Sequence, residues 1–211
     1  MNDLLEAAGR RFARVAARTV VARPWLWRLF RRPLRAQFGR LAPIWEDLQG
    51  PEAFAPLAAA LERVEPVPRR VLDVGTGTGK AARLVAERFP EASVVGVDLA
   101  PAMVEQAWHV LPPALAGRVR FEVADASALA WEDGTFDLVV LLNMIPFFSE
   151  LARVTAPGGH VVIAHARGAF TPIWTPPDTL RDRLAPLGFG GFQVVAAGEG
   201  TALLARKGDP G

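Results

Sequence analysis

Three glycines alternate through Val71-Leu72-Asp73-Val74-Gly75-Thr76-Gly77-Thr78-Gly79-Lys80, where an apolar run passes into an amphipathic one. A loop of this kind lets backbone come close to a ligand and offers free helix N–H groups to a negative group. Three ligand classes compete for it. A dinucleotide fingerprint, G-x-G-x-x-G, would put its third glycine at position 80, which is lysine. A phosphate loop ending at Gly79-Lys80 would need glycine at 74 and Ser or Thr at 81, where Val74 and Ala81 stand. What is left is a G-x-G-x-G loop led by an acid.

Further carboxylates follow at ordered intervals. Asp98 ends the next apolar run, where a carboxylate can accept both hydroxyls of a ribose. Asp125-Ala126 follows the third run, and a carboxylate there can accept an exocyclic amino group. Phe136-Asp137-Leu138-Val139-Val140 comes next, then Leu151-Ala152-Arg153-Val154 with Pro157-Gly158-Gly159, then Leu187-Gly188-Phe189.

In this order the motifs resemble those of class I methyltransferases over roughly residues 37–207. The resemblance implies S-adenosylmethionine as cofactor. Asp73, Gly75, Thr76, Gly77 and Gly79 would form the cradle for its methionine end, and Asp98 with Leu99 would hold the ribose. Met103 would pack on the adenine face, with plain core as its other reading. Asp125 and Ala126 would read the adenine edge. Asn143 would lie beside the sulfonium, or else cap the next helix.

No catalytic residue is assigned. Methyl transfer from a sulfonium is an in-line displacement on an activated donor, so alignment and exclusion of water carry most of the work. A base is needed only where the acceptor atom must lose a proton. His165, near the C-terminal end of the fifth predicted strand, is the candidate, against the plainer reading of a core histidine. His160 lies at the opposite end of that strand and His109 late in a helix. The Asn-Pro-Pro-Tyr type motif of exocyclic amino methyltransferases is absent, and the chain has no tyrosine.

The elements that must position these residues follow from periodicity. Strands are predicted at 70–74, 93–98, 119–123, 136–142, 160–166, 192–197 and 201–206, and helices at 80–89, 101–111, 147–154 and 176–187. Alternating βα units predict a doubly wound α/β fold. The resemblance makes it Rossmann-like, seven-stranded and mostly parallel, with an antiparallel last strand behind N-terminal helices. Two segments are expected: 1–65, basic and helical, with prolines 24, 33, 43, 51 and 56 each closing one helix and opening the next; and 66–211, the cofactor-binding domain.

Composition narrows the classes further. At 211 residues and 51% hydrophobic, the chain can bury one α/β core. The absence of cysteine excludes zinc–thiolate, iron–sulfur and cysteine-nucleophile chemistry. With three scattered histidines, no metal site is expected. No unbroken apolar stretch reads as a span or a leader, so a cytoplasmic protein is expected.

The net charge of +2 hides an asymmetry: ten arginines fall between Arg10 and Arg40, with no acid between Glu6 and Glu46. Arg10, Arg14 and Arg18 share a helical face, and Trp25, Trp27, Leu29 and Phe30 lie among further arginines. A solvated cap, an anionic membrane contact through residues 10–40, and nucleic-acid binding all remain open. Phe170-Thr171-Pro172-Ile173-Trp174 could line an apolar acceptor pocket. Phe38-Gly39-Arg40-Leu41-Ala42-Pro43-Ile44-Trp45-Glu46 resembles the F-D-x-x-A-x-x-Y-D stretch of quinone-biosynthesis methyltransferases, with glycine for the first acid and tryptophan for tyrosine. The expected function is methyl transfer to a small apolar molecule. The alternatives are an RNA methyltransferase anchored by the arm and a cofactor-binding protein without catalysis.

Overall fold

The computed structural model describes the backbone of residues 2–209 and the side chains of residues 9–209. Four helices come first: α1 (Asn2–Ala22), α2 (Trp27–Leu41), α3 (Trp45–Leu48) and α4 (Ala55–Leu61), joined by short 3-10 turns. The remainder alternates: β1 (Arg70–Val74), α5 (Lys80–Arg88), β2 (Ser93–Asp98), α6 (Pro101–His109), β3 (Val119–Val123), β4 (Phe136–Leu142), α7 (Phe148–Val154), β5 (Thr155–His165), α8 (Pro177–Leu184), β6 (Phe189–Ala197) and β7 (Gly200–Lys207). One sheet runs β3-β2-β1-β4-β5-β7-β6, parallel except where β7 pairs antiparallel with both β5 and β6.

The central strands carry apolar runs, Val71-Leu72, Leu138–Leu142 and Val161–Ala164, because both faces are covered. Successive residues go to opposite faces: Leu72, Val139, Val161 and Leu203 join one cluster, and Val71, Leu138, Val162 and Leu204 the other. Helices α4, α5 and α6 cover the second face, whereas α1, α2, α7 and α8 cover the first. Ala16, Ala17, Val20, Trp27 and Leu34 of the N-terminal arm are buried in the same cluster as the strands.

The predicted bounds of β1 to β4 match the structure, and three other expectations are corrected. Strand β5 begins at Thr155 rather than His160, because Pro157-Gly158-Gly159 runs on as an irregular extension of the strand and not as a turn. Gly159 permits this: a Cβ there would lie 2.8 Å from the Asp137 carbonyl oxygen. Strand β6 likewise starts at Phe189 rather than Phe192, with its pairing irregular between Gly190 and Gln193. Pro33 lies inside α2 instead of ending a helix. An interior proline costs on the order of 3 kcal/mol; burial of Trp27 and Leu34 on either side of it holds the helix together.

Candidate functional site

A cavity of about 1000 Å³ opens at the C-terminal ends of β1, β2 and β4, where the strand order reverses between β1 and β4. Open α/β sheets bind ligands at this topological switch point. The floor is the loop after β1. Gly75 and Thr76 donate their amides to the Val97 carbonyl, at 2.8 and 2.9 Å, which anchors the loop on β2. Gly75, Gly77 and Gly79 all have positive φ, so side chains would be strained there.

The three glycines face different neighbours. A Cβ on Gly75 would lie 2.8 Å from Met144 Sδ, and one on Gly77 would lie 2.9 Å from Trp45 Nε1. Both glycines line the cavity, together with Thr76. Gly79 does not: a Cβ there would meet Phe121 Cζ at 2.5 Å, so this glycine seats the loop on β3. Gly96, which the motif reading passed over, has a matching task, since a Cβ on it would lie 2.6 Å from Thr76 Oγ1.

Three carboxylates surround the loop. Asp73 is buried, and its Oδ2 accepts the Thr76 hydroxyl at 2.6 Å, while Oδ1 is buried with no hydrogen bond. Burial pushes its carboxyl up to about 7; the Thr76 hydroxyl and the Ala82 backbone pull it down, and nearby Asp98 pushes it up further. Asp98 lines the cavity and ties it together. Its Oδ2 accepts the Gly77 amide at 3.0 Å and its Oδ1 the Ala100 amide at 2.9 Å. Burial raises its pKa against those amides. The Leu99 amide also donates to this carboxylate, which has more acceptor sites than these three amides fill.

Asp125 stands at the edge of the site, beside cavity-lining Ala124 and Ala126. Its Oδ1 accepts the Ser127 amide at 3.0 Å, the Ser127 hydroxyl at 2.7 Å and the Trp27 indole N–H at 2.8 Å; its Oδ2 faces Arg31 at 3.5 Å. Burial would raise its pKa, but these donors outweigh it and hold the carboxyl below the usual range. The structure thus joins the carboxylate predicted to read an adenine edge to the arm.

Leu99, Met103 and Asn143 also line the cavity. Met103 is fully buried in a cluster with Ala42 and Ala100, packed against Phe38, Leu41 and Trp45. Asn143 caps no helix, since Phe147 precedes α7. It adopts φ 54 and its Oδ1 accepts the Ala166 amide at 2.9 Å, tying the end of β4 to that of β5.

His165 is buried and is not among the residues that line the cavity. Its Nε2 accepts the Thr175 amide at 3.4 Å, and its ring meets Trp174 edge-on at 4.9 Å. Burial lowers its pKa to about 4, against a hydrogen bond with the Ile173 backbone. It props the segment whose Thr171, Pro172 and Ile173 form a side wall. Its surroundings are those of a core histidine, not of a base facing a ligand.

The facing wall is the arm. Phe12, Leu34, Phe38, Leu41 and Trp45 line the cavity opposite the loop. Trp45 is held over Gly77 by its neighbour Glu46, whose carboxylate accepts from the Thr78 hydroxyl and from Arg83 at 3.2 Å. Lys80 closes the clamp by donating to the backbone carbonyls of Glu46 and Gln49, the latter at 2.8 Å. The resemblance of residues 38–46 to a known stretch was a signal for Trp45 and Glu46; nothing in the sequence pointed to Trp27 or Met144.

Residues 71–159 match the family described as Methyltransferase domain. The demethylmenaquinone methyltransferase of Thermus thermophilus is 42% identical over 118 residues, covering 51% of this chain and 53% of that protein. The malonyl-acyl-carrier-protein O-methyltransferase of Halorhodospira halophila is 43% identical over 114 residues, 49% of this chain and 38% of that one. The trans-aconitate 2-methyltransferase of Variovorax paradoxus is 35% identical over 171 residues, 69% of this chain and 63% of that one. The matched stretch thus spans between 38% and 63% of these relatives' lengths. A solved S-adenosylmethionine-dependent methyltransferase from Aquifex aeolicus shares the fold, with a TM-score of 0.64 at 19% identity over 78% of this chain and 97% of that one. The family match takes in the strand, glycine loop and helix that floor the cavity, and the chain belongs to the class I S-adenosylmethionine-dependent methyltransferase family.

Proposed function

We propose that this chain binds S-adenosylmethionine along the floor of the cavity and transfers its methyl group to a small, apolar acceptor held under the arm. The observation that carries the reading is one cavity with two unlike walls: a glycine loop beside the Asp98 carboxylate, and a facing wall of aromatic and aliphatic side chains. Its volume of about 1000 Å³ is at the upper end for a single-ligand pocket, which favours two ligands side by side.

The residues present fit the donor. Asp98, held by backbone amides, keeps lone-pair capacity for ribose hydroxyls, while Asp73, buried and outside the cavity lining, holds Thr76 of the loop from behind. Leu99, Met103 and Ala126 supply apolar surface for a flat ring, with Asp125 beside them. When bound, the donor supplies an activated methyl group on a sulfonium. The chain orients it, keeps water out and aligns the acceptor. Among the described residues that line the cavity, Asp98 is the one carboxylate and there is no histidine. This composition suits an acceptor that needs little help in losing a proton.

The relatives are named for demethylmenaquinone, malonyl-acyl-carrier protein and trans-aconitate. Of these chemistries, the apolar wall suits the first best. The arm that walls the acceptor is also the part of the chain that we read as meeting an anionic membrane.

The test is calorimetry followed by labelling. S-adenosylmethionine and S-adenosylhomocysteine should give heat of binding while NAD and ATP give none. A labelled methyl group should then appear in the lipid or small-molecule fraction of a cell extract. Label in RNA would overturn the acceptor class, and binding without label in any fraction would overturn catalysis.

A further inference from the structure

Helices α1 and α2 fold back along one another: Gly9 meets Gln37, and the rings of Phe12 and Phe30 lie 6.0 Å apart. Their inner faces are buried on the sheet. Their outer faces carry Arg11, Arg14 and Arg18 on α1 and Arg28 and Arg32 on α2, with the cavity-lining Arg35 beside them, all exposed. Among the described residues none of these six has a carboxylate within ion-pair distance; of the arm's arginines Arg31 reaches one, Asp125, at 3.5 Å. Three large apolar side chains stand out among the guanidiniums: Val15, 52% exposed, Trp25, 62%, and Leu29, 61%. The Arg28 guanidinium lies over the Trp25 ring at 5.6 Å.

We propose that this outer face docks on an anionic bilayer. Among the described residues the charge of this face is all of one sign and meets no carboxylate, so it is available to lipid headgroups. A row of phosphodiesters would satisfy the arginines equally well but would leave Val15, Trp25 and Leu29 in water. The headgroup boundary takes in both, since tryptophan and leucine sit at its apolar side while arginine remains at the charged one. No helix among the described residues is long and apolar enough to cross a membrane, so the contact is peripheral. Docked this way, the pair of helices that walls the cavity lies on the lipid surface. The exposed Ile44 and Leu48, which line the cavity, then form an apolar rim for an acceptor arriving from lipid.

The whole protein should be sedimented with vesicles of phosphatidylcholine alone and of phosphatidylcholine mixed with phosphatidylserine. Binding is expected to the mixed vesicles and not to the neutral ones. The triple variant Arg11→Glu, Arg14→Glu, Arg18→Glu should lose more than about tenfold in vesicle affinity. The double variant Trp25→Ser, Leu29→Ser should weaken binding at high salt, where the electrostatic share is screened. None of these five residues lines the cavity, so calorimetry with S-adenosylhomocysteine should give wild-type affinity for both variants and report intact folding. Equal binding to neutral vesicles, or none to either kind, would overturn the proposal. So would a tighter, salt-steep affinity for an RNA oligonucleotide that the Trp25/Leu29 variant leaves unchanged. These outcomes leave the donor site untouched, so they are distinct from failure of the proposed activity.

Discussion

On one side of the cavity the ligand-facing groups are fixed by backbone. Gly75 and Thr76 hang from the Val97 carbonyl, and Gly77 hangs from Asp98. On the other side Phe12, Leu34 and Phe38 present area, and few of their atoms could fix an orientation. The first wall tolerates almost no change, because each position needs a particular φ or a particular oxygen. The second tolerates any apolar residue of similar volume. A donor common to a family and an acceptor that differs among relatives would call for this division: one wall built by rule, the other free to vary.

The contrast is broken most severely at Gly77. Its φ of 55 and the Trp45 indole at 2.9 Å from the site of a Cβ leave no room for valine. Gly77→Val should reduce affinity for S-adenosylhomocysteine by more than about a hundredfold, combining backbone strain with the displaced ring. Circular dichroism should show the helical content kept. Near-normal affinity would mean that the loop is not the cradle. By comparison Leu34→Met, on the arm, should leave donor affinity alone.

Asp98→Ala comes next. It removes a charged acceptor from the cavity and the anchor of the Gly77 amide at once. Donor binding should weaken by about 1–3 kcal/mol, read by calorimetry. An unchanged affinity would move the ribose elsewhere.

How far each wall was legible in the sequence follows from how it is specified. Strands β1, β2 and β4 could be bounded because strands covered on both faces carry continuous apolar runs, β3 because its apolar residues alternate with Arg120 and Glu122. Polar residues mark two of the ends, with Asp98 closing β2 and Asn143 following β4. The loop was legible because three alternating glycines record three positive φ angles. Their separate tasks were not, since the contact that makes Gly79 a packing residue lies with Phe121, far along the chain. The fifth strand was misjudged because Pro157-Gly158-Gly159 has the composition of a turn, while the register with β4 that keeps it extended is a tertiary fact. His165 looked available because its position along the strand is right; what it bonds to is set by a loop ten residues on. The arm's inner wall was the least legible: Phe12 and Phe38 are plain core residues by spacing, and nothing local says that a cavity interrupts that core.

Titration sharpens the comparison, because the buried Asp73 carboxyl is poised to change charge near neutrality. Burial holds it at about 7, so at lower pH it is mostly protonated and no longer puts a negative charge behind the loop that faces a cationic donor. The donor favours the ionised form, so binding should release a proton and weaken by about tenfold from about pH 8 to about pH 6. Asp98, also raised by burial, would act in the same direction. Asp73→Asn separates the two: it should lower affinity at high pH and flatten most of the dependence. A slope that survives in Asp73→Asn would assign the titration to Asp98.

The smallest expected effect lies where the two walls touch. Trp27 belongs to the arm, is buried against Phe147 with ring centroids 5.2 Å apart, and donates to Asp125 Oδ1. With Ser127 it leaves that oxygen fully engaged, so Oδ2, facing only Arg31 at 3.5 Å, is the one left to read an adenine amino group. Trp27→Phe keeps most of the buried area and deletes the N–H. Donor affinity should fall by about 0.5–1.5 kcal/mol, the net worth of one hydrogen bond. A purely structural loss would be the same for any donor analogue. A loss through Asp125 should appear with S-adenosylhomocysteine and vanish with S-inosylhomocysteine, which carries an oxygen in place of the amino group. Equal losses on both ligands would make Trp27 a packing residue of the arm and confine adenine recognition to the sheet, whereas the selective loss would make the arm part of the donor site as well as the wall of the acceptor's.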